Sequence, residues 1–146
     1  MSKKSLVLII LGGILLLLVG IQLIPYGHDH NNPPVIAEPP WDSPQTRELF
    51  YRACGDCHSN ETTWPWYSNI APVSWLVLHD VEEGRSRLNV SEWGTAREME
   101  ADEAAEVILE GEMPPAIYLP MHPSARLSSD EKQALAQGLS NTFSGD

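Results

Sequence analysis

Both cysteines of the chain fall in one pentapeptide, Cys54-Gly55-Asp56-Cys57-His58. Two thiols three positions apart, followed at once by an imidazole, suit covalent haem attachment. Each thiol adds across a vinyl group to give a thioether, and the adjacent imidazole becomes the proximal iron ligand. Other uses of paired thiols fit less well. A thioredoxin-like dithiol wants a βαβ setting, whereas the flanking residues here read as helix. A structural zinc site needs two more ligands at matching spacing, and there is no second cysteine pair. A disulfide between positions i and i+3 would staple almost nothing. One covalent haem c uses both cysteines and leaves none over.

A haem iron needs a second axial group or an open face. The candidates are Met113, Met121, His79 and His122, with Met99 more remote. Met113 leads. It sits in Glu110-Gly111-Glu112-Met113-Pro114-Pro115, just past the Gly111 stop of a Glu/Ala-rich helix spanning Arg97 to Glu110. The prolines then force an extended loop that can aim a thioether from a rigid backbone. Met121, in Leu119-Pro120-Met121-His122-Pro123, is the runner-up. A methionine opposite a histidine raises the reduction potential, because a soft thioether favours ferrous iron. Without the C-x-x-C-H either methionine reads as ordinary core filling.

Several elements must hold these groups. Ser43 before Pro44 is an N-cap and first-turn signature. Leu49, Phe50 and Ala53 then form an apolar stripe that runs into Cys54, so an amphipathic helix delivers the motif at its end. Ser128-Ser129-Asp130-Glu131 is a capping box for a last helix through Ala134, Leu135 and Leu139. Trp64, Trp66, Trp75 and Trp93 follow the haem motif closely and could pack on a cofactor or on an ordinary core. Gly84 reads as a helix stop, after which Arg85 and Arg87 could pair with haem propionates or simply be solvated. Asn60-Glu61-Thr62 and Asn89-Val90-Ser91 match the N-glycosylation pattern and are read as chance.

Of the 146 residues, Leu6 to Ile24 form a nineteen-residue run with no charge. A helix of that length matches the roughly 30 Å hydrocarbon core. It exceeds a signal peptide's apolar region and ends without an Ala-x-Ala site, so a retained signal anchor is favoured over a cleaved signal. Lys3 and Lys4 before it stay cytoplasmic by the positive-inside rule, which exports the body. Residues 25–43 carry Pro25, Pro33, Pro34, Pro39 and Pro40, and Pro44 follows. Such a linker reads as an extended tether, long enough to hold the body up to about 60 Å from the membrane. His28-Asp29-His30 within it reads as a solvated patch.

All twenty acidic residues and seven of the nine basic ones lie beyond the apolar run. That balance excludes nucleic-acid binding, which needs a basic footprint. Glu98, Glu100, Asp102, Glu103, Glu106 and Glu110 form either a solvated face or a docking surface for a basic redox partner.

The C-x-x-C-H with Met-Pro about fifty-five residues later resembles the class I cytochrome c layout. A closer resemblance is to a small haem-binding domain family of membrane-anchored bacterial proteins. It rests on Cys57-His58-Ser59, Thr63, Trp64-Pro65-Trp66-Tyr67-Ser68, Pro72, Ser74-Trp75, Gly84-Arg85, Leu88-Asn89, Trp93 and Met113-Pro114-Pro115. The resemblance implies covalent haem with His58 and Met113 as axial ligands. Relative to class I cytochromes, Thr46 replaces a small glycine and the last helix lacks an aromatic before Phe143, so the crossing of first and last helices is expected to be looser or differently angled.

The expectation is an all-α protein with three or four helices around one covalent haem. Residues 1–24 are the anchor, 25–43 the linker and 44–146 the haem domain. The expected function is single-electron transfer on the periplasmic face of a bacterial cytoplasmic membrane, without enzymatic catalysis. Cys54 and Cys57 hold the porphyrin, Trp64, Trp66, Trp75 and Arg85 surround it, and His58 and Met113 ligate iron. The rival readings are a haem-based sensor or peroxidase with a displaceable sixth ligand, and a module in which haem serves only folding.

Overall fold

The computed structural model describes residues 2–95 and 101–144, the side chains of 101 and 102 excepted. Its elements are helical: α1 (Lys3–Ile21), α2 (Pro44–Ala53), the single turn α3 (Gly55–His58), α4 (Val73–Arg87), α5 (Ala101–Glu110) and α6 (Ser129–Phe143). Short 3-10 turns cover Trp66–Asn69 and Pro123–Ala125. No strand occurs among the described residues; one isolated parallel bridge joins Ala37 to Glu92. Beyond α1 there are five α-helices among the described residues, where three or four were expected. The extra one is the turn that holds the C-x-x-C-H.

The chain divides into two compact units, Met1–Asn31 with Trp64–Asp80, and Asn32–Thr63 with Val81–Asp146. In the first, α1 buries none of its side chains and is long and apolar enough to cross a membrane. Its C-cap residue Gln22 clasps Ala71 from both sides. The Gln22 amide donates to the Ala71 carbonyl at 2.9 Å, and the Ala71 N–H donates back to Gln22 Oε1 at 3.0 Å. Gly27, at φ +89°, then lies so close over Ser74 and Trp75 that a Cβ would sit 2.7 Å from the Ser74 carbonyl carbon. Only glycine suits both the left-handed backbone and the close approach. His30 stacks on Trp64 at 4.5 Å, its Nε2 3.0 Å from the Ser68 carbonyl.

The proline-rich segment is therefore a strap and not a free tether. It stays irregular, as its prolines require, but its polar groups find partners in the body. In the second unit Asn32 donates to the Thr62 carbonyl and the Pro34 carbonyl accepts from Asn60. The Ile36 N–H reaches the Ser91 carbonyl at 2.8 Å. Glu38 then takes Trp41 Nε1 and both arms of Arg47, at 2.7 Å each. These bonds pin each part of the segment within its own unit at short intervals.

The second unit is built on α2, α5 and α6. Ser43 caps α2 by accepting from the Thr46 N–H, and Ser128 with Glu131 forms the full capping box of α6. Glu131 also bonds Arg52 at 2.5 Å, which ties the start of α6 to the end of α2. One apolar cluster gathers Leu49, Phe50, Leu88, Val90, Ala104, Ile108, Leu135, Ala136 and Leu139. Burying each large aliphatic contributes about 1.5–3 kcal/mol.

α2 and α6 meet closely at one point. Gly138 of α6 lies against Thr46 so closely that any Cβ there would collide with the threonine side chain. The small residue at this contact sits on the last helix. Phe143, the late aromatic, stacks on Trp93 at 4.9 Å. Gly138→Ala gains helix propensity of about 1 kcal/mol but overpacks this contact at a cost of about 1–3 kcal/mol. Chemical denaturation should show net destabilisation, with Thr46→Ala in the same chain recovering part of the loss.

Candidate functional site

The C-x-x-C-H folds as one turn in continuation of α2. The Cys54 N–H donates to the Phe50 carbonyl at 2.7 Å, ending α2. The Cys54 carbonyl then accepts from the N–H groups of Cys57 and His58, at 3.1 and 3.0 Å. This closes α3 and places both thiols and the imidazole on a backbone with no slack. Both cysteines are half-buried thiols. Burial pushes the Cys54 thiol up to about 12, and the neighbouring Cys57 adds to the rise. Cys54 borders the apolar cluster, as does Met113.

His58 is buried, and that burial holds its imidazole below the usual value, against the pull of the Leu88 and Gly84 carbonyls. The ring is neutral at neutral pH, as a metal ligand must be. Its Nδ1 lies 3.1 Å from the Leu88 carbonyl oxygen. A carbonyl only accepts, so Nδ1 carries the proton and Nε2 keeps its lone pair. This is the outer-shell arrangement that fixes ring orientation and raises ligand basicity.

The second half of α4 sets that geometry. Gly84 is not a helix stop, because α4 continues to Arg87. It is a contact: a Cβ at Gly84 would come within 2.5 Å of the Cys57 carbonyl oxygen and 2.9 Å of Cys57 Cβ. The α4 backbone therefore lies directly on the haem-motif turn. One residue on, Arg85 donates through Nε to the Ser59 carbonyl at 2.9 Å and through Nη2 to Thr62 and Asn32. Arg85 thus clamps the loop that leaves His58. Arg87 pairs with Glu83 at the surface.

Below this clamp lies a buried polar network that the sequence reading missed. Asn89 donates to Asn60 Oδ1 at 2.9 Å, the Asn60 N–H donates to Ser91 Oγ at 2.9 Å, and Asn60 Nδ2 also reaches Glu92. The Val90 N–H donates to the His58 carbonyl at 3.0 Å. The two Asn-x-Ser/Thr triplets read as chance are the facing halves of this network. Asn60 is 2% exposed and Asn89 5%, so neither is open to glycosylation. Their matching composition was the available signal.

Met113 follows a Schellman stop of α5. Gly111, at φ +81°, donates to the Ile108 carbonyl, and the Glu112 N–H donates to that of Val107 at 3.0 Å. The Met113 N–H shares the Val107 carbonyl, and its side chain is half-buried against the cluster. The chain beyond it is tied to the haem motif, because Tyr118 donates to Asp56 Oδ2 at 2.6 Å. Met121 is exposed, and the His122 ring stacks on Tyr118 at 3.7 Å. Met99 lies outside the described residues, as do Glu98 and Glu100 of the acidic face; Glu103, Glu106 and Glu110 are exposed.

Of the four tryptophans that follow the motif, Trp64, Trp66 and Trp75 belong to the first unit, where each ring has its own surroundings, and Trp93 belongs to the second. Trp64 stacks on His30, Trp75 lies beneath Gly27, and Trp66 is exposed with Tyr67 edge-on. Trp75 Nε1 is buried with no hydrogen-bond partner among the described residues. His79 is an exposed residue of the same unit.

The donor set fits haem. A neutral imidazole protonated on Nδ1 follows two half-buried thiols, Cys54 at the edge of an apolar cluster, and no group of three His, Cys, Asp or Glu that could hold a metal ion occurs among the described residues. Fold and site together define a helical haem-binding protein. The chain belongs to the haem-binding domain family, whose pattern it matches over residues 16–141. No curated protein and no solved structure matches it.

Gly84→Ala tests the contact. Alanine favours a helix by about 1 kcal/mol, so weaker haem loading cannot come from α4 propensity. Haem absorbance per chain should fall well below that of the parent protein, and unchanged loading would contradict the role given to Gly84.

Proposed function

We propose that the protein is a membrane-anchored monohaem c-type cytochrome that carries single electrons on the periplasmic face of a bacterial cytoplasmic membrane. The observation that carries this reading is the buried His58 ring, protonated on Nδ1 against the Leu88 carbonyl and flanked by Cys54 and Cys57. Cys54 and Cys57 would hold the porphyrin as thioethers, each adding its sulfur and its hydrogen across one vinyl group so that no atom is lost. The haem iron supplies a one-electron couple when bound. His58 would ligate it through Nε2, and Met113, on the rigid stop of α5, would be its second protein ligand. The apolar cluster beside Cys54 and Met113 excludes water from that side, which holds the potential up.

Transfer of an electron needs no proton-moving side chain, and His58 keeps its proton on Nδ1 throughout. The protein is therefore read as a carrier and not as an enzyme. α1 is the anchor, with Lys3 and Lys4 on the cytoplasmic side. The partner class is a basic redox protein, which the acidic face steers at low ionic strength.

Carbon monoxide tests the sixth ligand. The ferrous protein should bind it slowly or not at all. Met113→Ala should bind it rapidly and lose the sulfur-to-iron charge-transfer band. Rapid binding by the parent protein would sink the carrier reading in favour of an open-site sensor. A surviving band in the variant would move the ligand to Met121.

A further inference from the structure

The first unit holds an apolar surface that neither the fold nor the haem site uses. Trp66 is 71% exposed, and Ile70, Val73 and Leu76 are each exposed as well. The Ser74 N–H donates to the Ile70 carbonyl at 2.9 Å, so helical bonding starts at Ile70. Residues 70, 73 and 76 then recur every three positions and share one side of the start of α4. The residues from Thr62 to Leu78 carry no charge, in a chain whose formal net charge is −11. Of the twenty acidic residues, only Asp29 and Asp80 belong to this unit.

What covers such a surface follows from where it is fixed. Ala71 is held by both ends of the Gln22 amide, and Gln22 is the C-cap of α1. Nineteen helical residues rise about 28 Å and match a hydrocarbon core of roughly 30 Å. The C-cap of a spanning α1 therefore sits at the headgroup level, and so does anything hydrogen-bonded to it. Tyr26, four residues on, is also exposed. Exposed Trp and Tyr with aliphatics between them suit that level, where one end of the ring meets acyl chain and the other meets water.

We propose that Trp66, Ile70, Val73 and Leu76 form a second membrane contact that dips into the lipid interface beside the outer end of α1. It rests on the reading of α1 as the membrane anchor. The Gln22–Ala71 clasp and the Gly27 contact then set the height of this unit on the bilayer, where a free linker would leave it undefined. An anionic lipid surface repels acidic residues, which accounts for their scarcity in this unit.

The test is photo-crosslinking of the full-length haem-loaded protein in vesicles of phosphatidylethanolamine and phosphatidylglycerol. p-Benzoylphenylalanine replaces Leu16, Trp66, Leu76 or, as an exposed apolar residue of the other unit, Ile117, and adducts are read by mass. Lipid adducts at 16, 66 and 76, at least fivefold above those at 117, are expected. Adducts at 16 without them at 66 and 76 would overturn the second contact and leave the anchor standing. Adducts at 66 and 76 to haem, to protein or to a second copy in place of lipid would also overturn it. Absence of lipid adducts at 16 would overturn both readings. Equal yields at 66, 76 and 117 would show general stickiness and defeat the proposal.

Discussion

The approach of one helix backbone to one turn organises the second unit. Gly84 has no side chain, so α4 rests directly on Cys57. Everything that prepares the haem motif follows from that contact along less than two turns of chain. Arg85 reaches Ser59 and Thr62, and Leu88 presents its carbonyl to His58 Nδ1. A side chain at position 84 would move all three at once. Close packing leaves no slack to absorb such a shift, because interiors are dense and a single added carbon is felt.

The polar network extends this logic. Each bond among Asn60, Asn89, Ser91 and Glu92 contributes only about 1 kcal/mol net, yet leaving one buried group unpaired costs about 1–3 kcal/mol. The network therefore specifies one arrangement of the 58–62 and 88–92 segments more than it stabilises the fold. Protein groups alone orient the imidazole, and such preorganisation lowers the entropic cost of binding. The strap adds a further constraint, since Asn32 and Pro34 bond the same loop from the N-terminal side.

Short-range features were legible in the sequence. The Ser43–Pro44 start, the Gly111 stop and the Ser128–Glu131 box each need only neighbours within four or five positions, and each stands as read. The C-x-x-C-H is equally local. Contacts between distant residues were not legible. Gly84 looks the same whether it ends a helix or meets Cys57, twenty-seven positions away. Gly138 likewise gave no sign that it meets Thr46, ninety-two positions away. Proline content correctly denied the 25–43 segment regular structure, but composition does not record the partners that pin it. The methionine choice sits between these cases: Gly111 and the prolines fix the loop locally, while the contact of Met113 with the cluster is long-range.

The central claim is that this turn holds one haem through both of its cysteines. The intact mass of the purified full-length chain under denaturing conditions, after treatment with a thiol alkylator, tests it most directly. The account predicts the chain mass plus one haem, with no alkylated cysteine. A chain without haem and with two alkylated cysteines, the pigment passing into acidified acetone, would contradict it.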